Sequence, residues 1–206
     1  MKKSAAADLY YNPFSASRVR PGALAYLFPP GESSAAILAR LEQAGGRGAI
    51  VGPHGSGKST LLAALIDQLA SEGRKRLVVT LHDGERSLPV DRANVEPLPP
   101  GAILIVDGYE QLGFWARRKL NRLCAAGGLS LLVTAHQSVG LPLVATTAAT
   151  PELAQAIVER LLSSAAAPAR MAITPEDVRE RFAARAGNLR EVLFDLYDRY
   201  ESGRHL

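Results

Sequence analysis

The sequence predicts an α/β protein, a parallel sheet with helices on both faces, continued by a small all-α segment. Three observations predict it. Apolar runs such as Ala102–Val106 and Leu129–Thr134 alternate with amphipathic helical patterns, as expected of strands buried on both faces. A Gly-rich stretch, 52–57, separates the first of these strands from the helix that follows it. Beyond Pro151 only helical spacing recurs.

Each element has a local reason. Residues 1–33 are rich in turn signals (Asn12-Pro13, Arg20-Pro21-Gly22, Pro29-Pro30-Gly31) and read as an extended lead-in. Its apolar residues Leu9, Tyr10, Tyr11, Phe14, Leu24, Tyr26, Leu27 and Phe28 predict that it packs on the domain. Ser33 and Ser34 can cap a helix carrying Ile37, Leu38 and Leu41, which Gly45-Gly46 ends. Ala49-Ile50-Val51 is a strand. Leu61, Leu62, Leu65, Ile66 and Leu69 mark the apolar face of the next helix, and Leu77–Leu81 reads as a buried strand. Residues 83–100 are polar and Pro-rich and read as loop. Leu112, Trp115, Ala116, Leu120 and Leu123 mark another helix, and Leu143–Thr147 a last strand. Pro151 and Pro175 each open a helix, the second with an acidic first turn, and Asn188 caps a final one. The Ala165–Pro168 stretch reads as a linker.

Composition bounds the function. A chain of 206 residues holds one domain, or one domain plus an appendage. With 47% apolar and 21% charged residues it is not globally disordered. No apolar run approaches the roughly 20 residues that span a bilayer. No apolar stretch follows Met1-Lys2-Lys3-Ser4, which argues against a secretory leader. The single cysteine, Cys124, excludes an internal disulfide and fits a reducing, cytoplasmic setting. The net charge of +4 permits a nucleic-acid partner without demanding one.

The stretch Gly52-Pro53-His54-Gly55-Ser56-Gly57-Lys58-Ser59 fits G-x-x-x-x-G-K-[ST] in full, between a strand and a helix, where a phosphate-binding loop works. Glycines let backbone N–H groups curl around a phosphate, and the helix N-terminus adds its positive end. Lys58 is placed to reach the β- and γ-phosphates, Ser59 to bind Mg²⁺, and Thr60 to lie by the α-phosphate. His54 reads as a spacer. Ile103–Asp107 supplies the second metal-side group, a buried strand ending in a carboxylate. Glu110, three residues later, is either the base that positions water or a first-turn helix residue. In a parallel sheet with the phosphate-loop and Asp strands as neighbours, the tip of Leu131–His136 faces the γ-phosphate. That makes His136, with Thr134 behind it, the candidate phosphate sensor. Arg190, near the start of the last helix, is either a lid residue reaching the phosphates or a solvated charge.

With these residues the chain resembles the AAA+ ATPases of the P-loop superfamily over most of residues 10–200. The matching parts are Gly52–Ser59, Ile103–Asp107, Thr134–His136 and Gly187-Asn188-Leu189-Arg190. Asp107–Leu112 is similar to the Asp-strand region of bacterial replication initiators and loaders. Tyr11-Asn12-Pro13-Phe14 is similar to the opening of general-secretion and transposition ATPases, and Gly-Pro-His-Gly-Ser-Gly-Lys-Ser-Thr to small uncharacterised ATP-binding proteins. The resemblance implies a core over 34–149, a helical lid over 150–206, and ATP and Mg²⁺ as ligands.

Two departures stand out. No Arg lies between His136 and Thr150 to act on a neighbouring subunit, leaving Arg117, Arg118, Arg122 and Arg160 as substitutes. No helix is predicted over 83–100. The guanine-reading Asn-Lys-x-Asp pattern of GTPases and the Leu-Ser-Gly-Gly-Gln signature of ABC ATPases are absent. The expected function is weak Mg²⁺-dependent ATP hydrolysis working as a switch on a protein partner. The alternatives are a small phosphotransferase with Asp83-Gly84-Glu85-Arg86 lining an acceptor pocket, and a non-hydrolysing ATP-gated adaptor. A DNA partner draws on the basic balance and the initiator-like residues. Against it, acids alternate with arginines over 176–204, and no aromatic-plus-basic platform is legible.

Overall fold

The computed structural model describes residues 11–163 and 173–203, so Leu9, Tyr10 and the 165–168 stretch lie outside the described residues. Contacts divide the chain into two compact units. The larger comprises Phe28–Pro53 and Lys58–Thr147. The other gathers the chain from Ala148 onward, the lead-in up to Leu27, and His54–Gly57.

The larger unit is built on five parallel strands in the order β2-β3-β4-β1-β5: β1 Arg47–Val51, β2 Arg76–Thr80, β3 Ile103–Asp107, β4 Ser130–Ala135 and β5 Leu143–Thr146. The three inner strands are buried on both faces, which is why they read as unbroken apolar runs. Helices α2 Ser34–Gln43, α3 Lys58–Ser71 and α5 Phe114–Gly127 accompany the sheet. The Ser33 hydroxyl caps α2 by accepting from Ala36 N–H at 3.1 Å. Arg40 on α2 pairs with Glu32 and donates to the Val144 carbonyl, which ties the helix to β5. Leu61, Leu62, Leu65 and Leu69 form the buried face of α3.

Three expectations need correction here. β2 is an edge strand, with hydrogen bonds to β3 alone and Val78 41% exposed, so its apolar run does not mark a fully buried strand. The 83–100 segment is not all loop. Asp91 and Asn94 form a reciprocal capping box around a one-turn helix, α4 Arg92–Val95, and Val95 is buried. On α5 the buried face is set by Leu120 and Cys124, whereas Trp115 is 78% exposed and Leu112 is buried just before the helix begins.

The smaller unit is helical: a single turn α1 Ala16–Val19, then α6 Pro151–Ser163, α7 Pro175–Ala184 and α8 Leu189–Gly203. Its core joins Ile157, Leu161, Val192 and Leu196 to Phe14 from the lead-in. The lead-in thus packs on the helical unit. Asn12 holds it there, donating to the Tyr197 carbonyl at 3.1 Å and to Glu201 at 2.8 Å while its own carbonyl accepts from Phe14 N–H. Thr174 and Asp177 form a reciprocal capping box at the start of α7. Asp177 also pairs with Arg199 of α8 at 3.0 Å and with Arg181 at 3.4 Å.

Burial alone would push the Asp177 carboxyl up. Its hydrogen bonds from Thr174 and the nearby Arg199 and Arg181 outweigh that and hold it below the ordinary value. A depressed folded-state value means the stabilisation is complete above the unfolded pKa near 4 and fades as pH falls through the folded value. Asp177→Ala is therefore expected to cost about 1–2 kcal/mol at pH 7 in urea unfolding. The gap from wild type should close as pH drops below about 4.

Candidate functional site at the C-terminal edge of the sheet

Because the strands are parallel, the C-terminal ends of β3, β4 and β1 share one edge, the usual ligand edge of an open α/β sheet. β4 lies between β3 and β1, and Gly52 N–H extends its pairing by donating to the Ala135 carbonyl at 3.2 Å. Asp107, Thr134 and His136 are carried there by the ends of β3 and β4.

Thr134 is buried and joins two strand ends. Its hydroxyl donates to Asp107 Oδ1 at 2.5 Å and accepts from Gly108 N–H at 3.0 Å. Gly108 turns the chain at φ +88°, and a Cβ there would stand 2.8 Å from the Leu81 carbonyl oxygen, so glycine is required. The turn leads into a single 3₁₀ turn, Tyr109–Gln111, which carries Glu110. With Oδ1 held by Thr134, Asp107 Oδ2 has no hydrogen-bond partner among the described residues.

Lys58 opens α3 and is buried. Its ammonium donates to the Gly52 carbonyl at 2.7 Å, the Pro53 carbonyl at 2.7 Å and His136 Nδ1 at 3.1 Å, three acceptors for a group with three protons. If Nδ1 accepts, the imidazole proton sits on Nε2, which is 2.8 Å from Glu110 Oε1. A chain of polar contacts therefore runs Lys58–His136–Glu110. It ends at Glu110 Oε2, which is buried without a hydrogen-bond partner, the single such side-chain atom among the described residues. Three residues chosen separately in the sequence thus meet.

In the phosphate loop, Gly55 and Gly57 have φ +67° and +94°, and their N–H groups have no partner among the described residues. An ideal Cβ on Gly55 would fall 1.8 Å from Asn188 Oδ1. Asn188 therefore rests against the loop as well as capping α8 through Glu191 N–H. Ser56 is buried and His54 exposed. Ser59 and Thr60 follow Lys58 in the first turn of α3. Arg190 is exposed in the first turn of α8 and has no partner among the described residues. Arg117, one of the substitute arginines, is tied to the Glu110 and Leu112 carbonyls and lies over the Tyr109 ring.

No protein-family model matches this chain, and no curated protein does. Solved structures do. A RuvB mutant from Thermotoga maritima superposes with a TM-score of 0.51 at 16% identity, over 79% of this chain. At that identity the likeness shows the fold alone, a parallel α/β sheet accompanied by helices. The match takes in 58% of the RuvB chain, so this chain spans little more than half of that protein's length. PCH-2 from C. elegans gives a TM-score of 0.45 at 12% identity, over 84% of this chain and 68% of its own.

Within this fold, three links are not legible in the sequence: Lys58 with His136, Thr134 with Asp107, and Asn188 seated on Gly55. A Thr one turn of the pleat before a strand-tip His was the available signal for the second. The first and third depend on how distant segments meet. Among the described residues no helix is long and apolar enough to cross a membrane, and no group of three or more His, Cys, Asp or Glu is placed to hold a metal ion.

Thr134→Val keeps the shape but strips Asp107 of a donor and Gly108 N–H of an acceptor. A loss of about 1–3 kcal/mol is expected in urea unfolding, against less than about 0.5 kcal/mol for Thr80→Val on the exposed face of β2.

Proposed function

We propose that the chain binds ATP with Mg²⁺ and hydrolyses it slowly, as a nucleotide-dependent switch acting on a protein partner. The observation that carries this reading is the Lys58–His136–Glu110 chain ending at the unpartnered Glu110 Oε2. A full phosphate-loop motif precedes Lys58, and its glycine N–H groups are open to anionic oxygens. Gly52–Gly57 would cradle the phosphates, with Thr60 beside them.

Each residue has a distinct task. Lys58 exchanges its loop carbonyls and His136 for the β- and γ-phosphate oxygens, a trade of neutral acceptors for charged ones. His136, released at Nδ1, keeps Glu110 oriented through Nε2–H. Glu110 accepts a proton from the attacking water at Oε2, the oxygen with no other bond to make. Ser59 and Asp107 Oδ2 would hold Mg²⁺, which neutralises charge on the phosphates. Arg190, on the helix that Asn188 caps, would report the state of the loop to residues 175–203.

The phosphotransferase alternative gains no support from its proposed acceptor residues. Glu85 accepts from His82 N–H at 2.8 Å and Asp83 from Gln111 at 3.0 Å, so both carboxylates are engaged in local bonds.

Lys58→Ala is expected to abolish ATP binding by calorimetry; unchanged affinity would reject the site. Glu110→Gln should bind ATP as tightly as wild type while turnover falls by a factor of about 100 or more. If wild type binds ATP and shows no turnover, the adaptor reading takes its place. Arg190→Ala should reduce nucleotide-dependent hydrogen-exchange protection in α7 and α8, and undiminished protection would reduce Arg190 to a surface charge.

A further inference from the structure

Helix α5 carries a surface that the nucleotide site does not use. Four of the chain's 24 Lys and Arg residues lie on it (Arg117, Arg118, Lys119 and Arg122) and none of its 20 acids, so this one helix matches the entire net charge of +4. Outside it, charges balance. Arg117 is turned inward onto the Tyr109 ring. Arg118, Lys119 and Arg122 are exposed and make no ion pair or side-chain hydrogen bond among the described residues. Elsewhere Arg40, Arg74, Arg92, Arg179 and Arg185 each hold a carboxylate.

The three free cations share a face with an aromatic ring. Trp115, Arg118, Lys119, Arg122, Leu123 and Ala126 stand at i, i+3, i+4, i+7, i+8 and i+11, and together line one shallow groove of about 270 Å³. Trp115 is 78% exposed, and Phe114, edge-on to it with centroids 5.3 Å apart, is 70% exposed. Exposing two large rings side by side is costly on a surface that meets only water. In the sequence Trp115 is one of the residues that mark this helix, with no face assigned to it, and no aromatic-plus-basic platform is legible. In the structure Leu120 and Cys124 take the inner face, and Trp115 and the cations lie together on the outer one.

We infer that this face of α5 binds single-stranded nucleic acid, with Arg118, Lys119 and Arg122 on phosphates and a base stacked on Trp115. A single strand offers repeating negative charge and, unlike a duplex, free planar faces. The groove offers the complement: cations without partners flanking a flat ring. The site uses none of the phosphate-loop residues, so its failure would leave the ATP reading untouched.

Trp115 is the chain's single tryptophan, so its fluorescence reads the groove directly. Titrating the full chain with oligo-dT, without nucleotide, should quench it. Affinity should fall with salt at a log–log slope of about −2, the value for three phosphate contacts on a single strand. Replacing Arg118, Lys119 and Arg122 together by Ala should remove most of that slope and lower affinity at least about tenfold at 0.1 M salt. Trp115→Leu, followed by anisotropy of a labelled strand, should weaken binding about tenfold and leave the slope in place. All four side chains are exposed, so the variants should melt with the wild type, and a thermal scan checks that they do. Three results would overturn the inference: no quenching at low salt, a triple-Ala variant that binds like wild type, or poly-glutamate competing as well as oligo-dT, which would assign the face to an acidic protein segment.

Discussion

The pairing of β4 with β3 on one side and β1 on the other is the constraint on which the site rests. Parallel strands deliver their C-terminal ends to a common edge, and each of these three ends brings a different chemistry: a carboxylate from β3, a threonine and a histidine from β4, a glycine-rich loop from β1. Thr134 converts that adjacency into a bond, since its hydroxyl serves Asp107 and the Gly108 N–H together. The turn after β3 then has little freedom, and Glu110 is carried to His136. In a different strand order the same residues would sit at the same edge without touching.

Much of this was legible in the sequence. The inner strands could be read because burial on both faces demands unbroken apolar runs, as in Ile103–Val106. The glycine-rich loop could be read because its spacing and its strand–helix setting form one continuous sequence pattern. β2 was misread for a related reason: an edge strand can also be apolar, and Leu77–Val79 carries no mark of its missing neighbour. The one-turn helix at Arg92–Val95 is too short for a periodic pattern and is announced only by the Asp91/Asn94 box. The sequence marks Trp115 as part of a helix but carries no sign of which face it takes. What decided its position was Leu120 and Cys124 filling the inner face first.

Charge shows a similar gap between composition and structure. A net charge of +4 on 206 residues is unremarkable as a sum. Its meaning changes once the charges are located, because ion pairs hold several of the other arginines, whereas the outer cations of α5 make none among the described residues. A surface with unpaired like charges in a row repels itself, and it is held in register only because the inner face of the helix is anchored in the core.

The seating of Asn188 against Gly55 carries a consequence for how this chain can change by mutation. The amide of Asn188 fills the space a Cβ on Gly55 would need, and that same amide caps α8. Any larger residue at 55 is barred while 188 stays as it is, and any change at 188 that yields room also uncaps a helix. The two positions, 133 residues apart, are sterically coupled, so a change at one sets what the other can hold. Room for a side chain at 55 therefore comes only with another way to start α8.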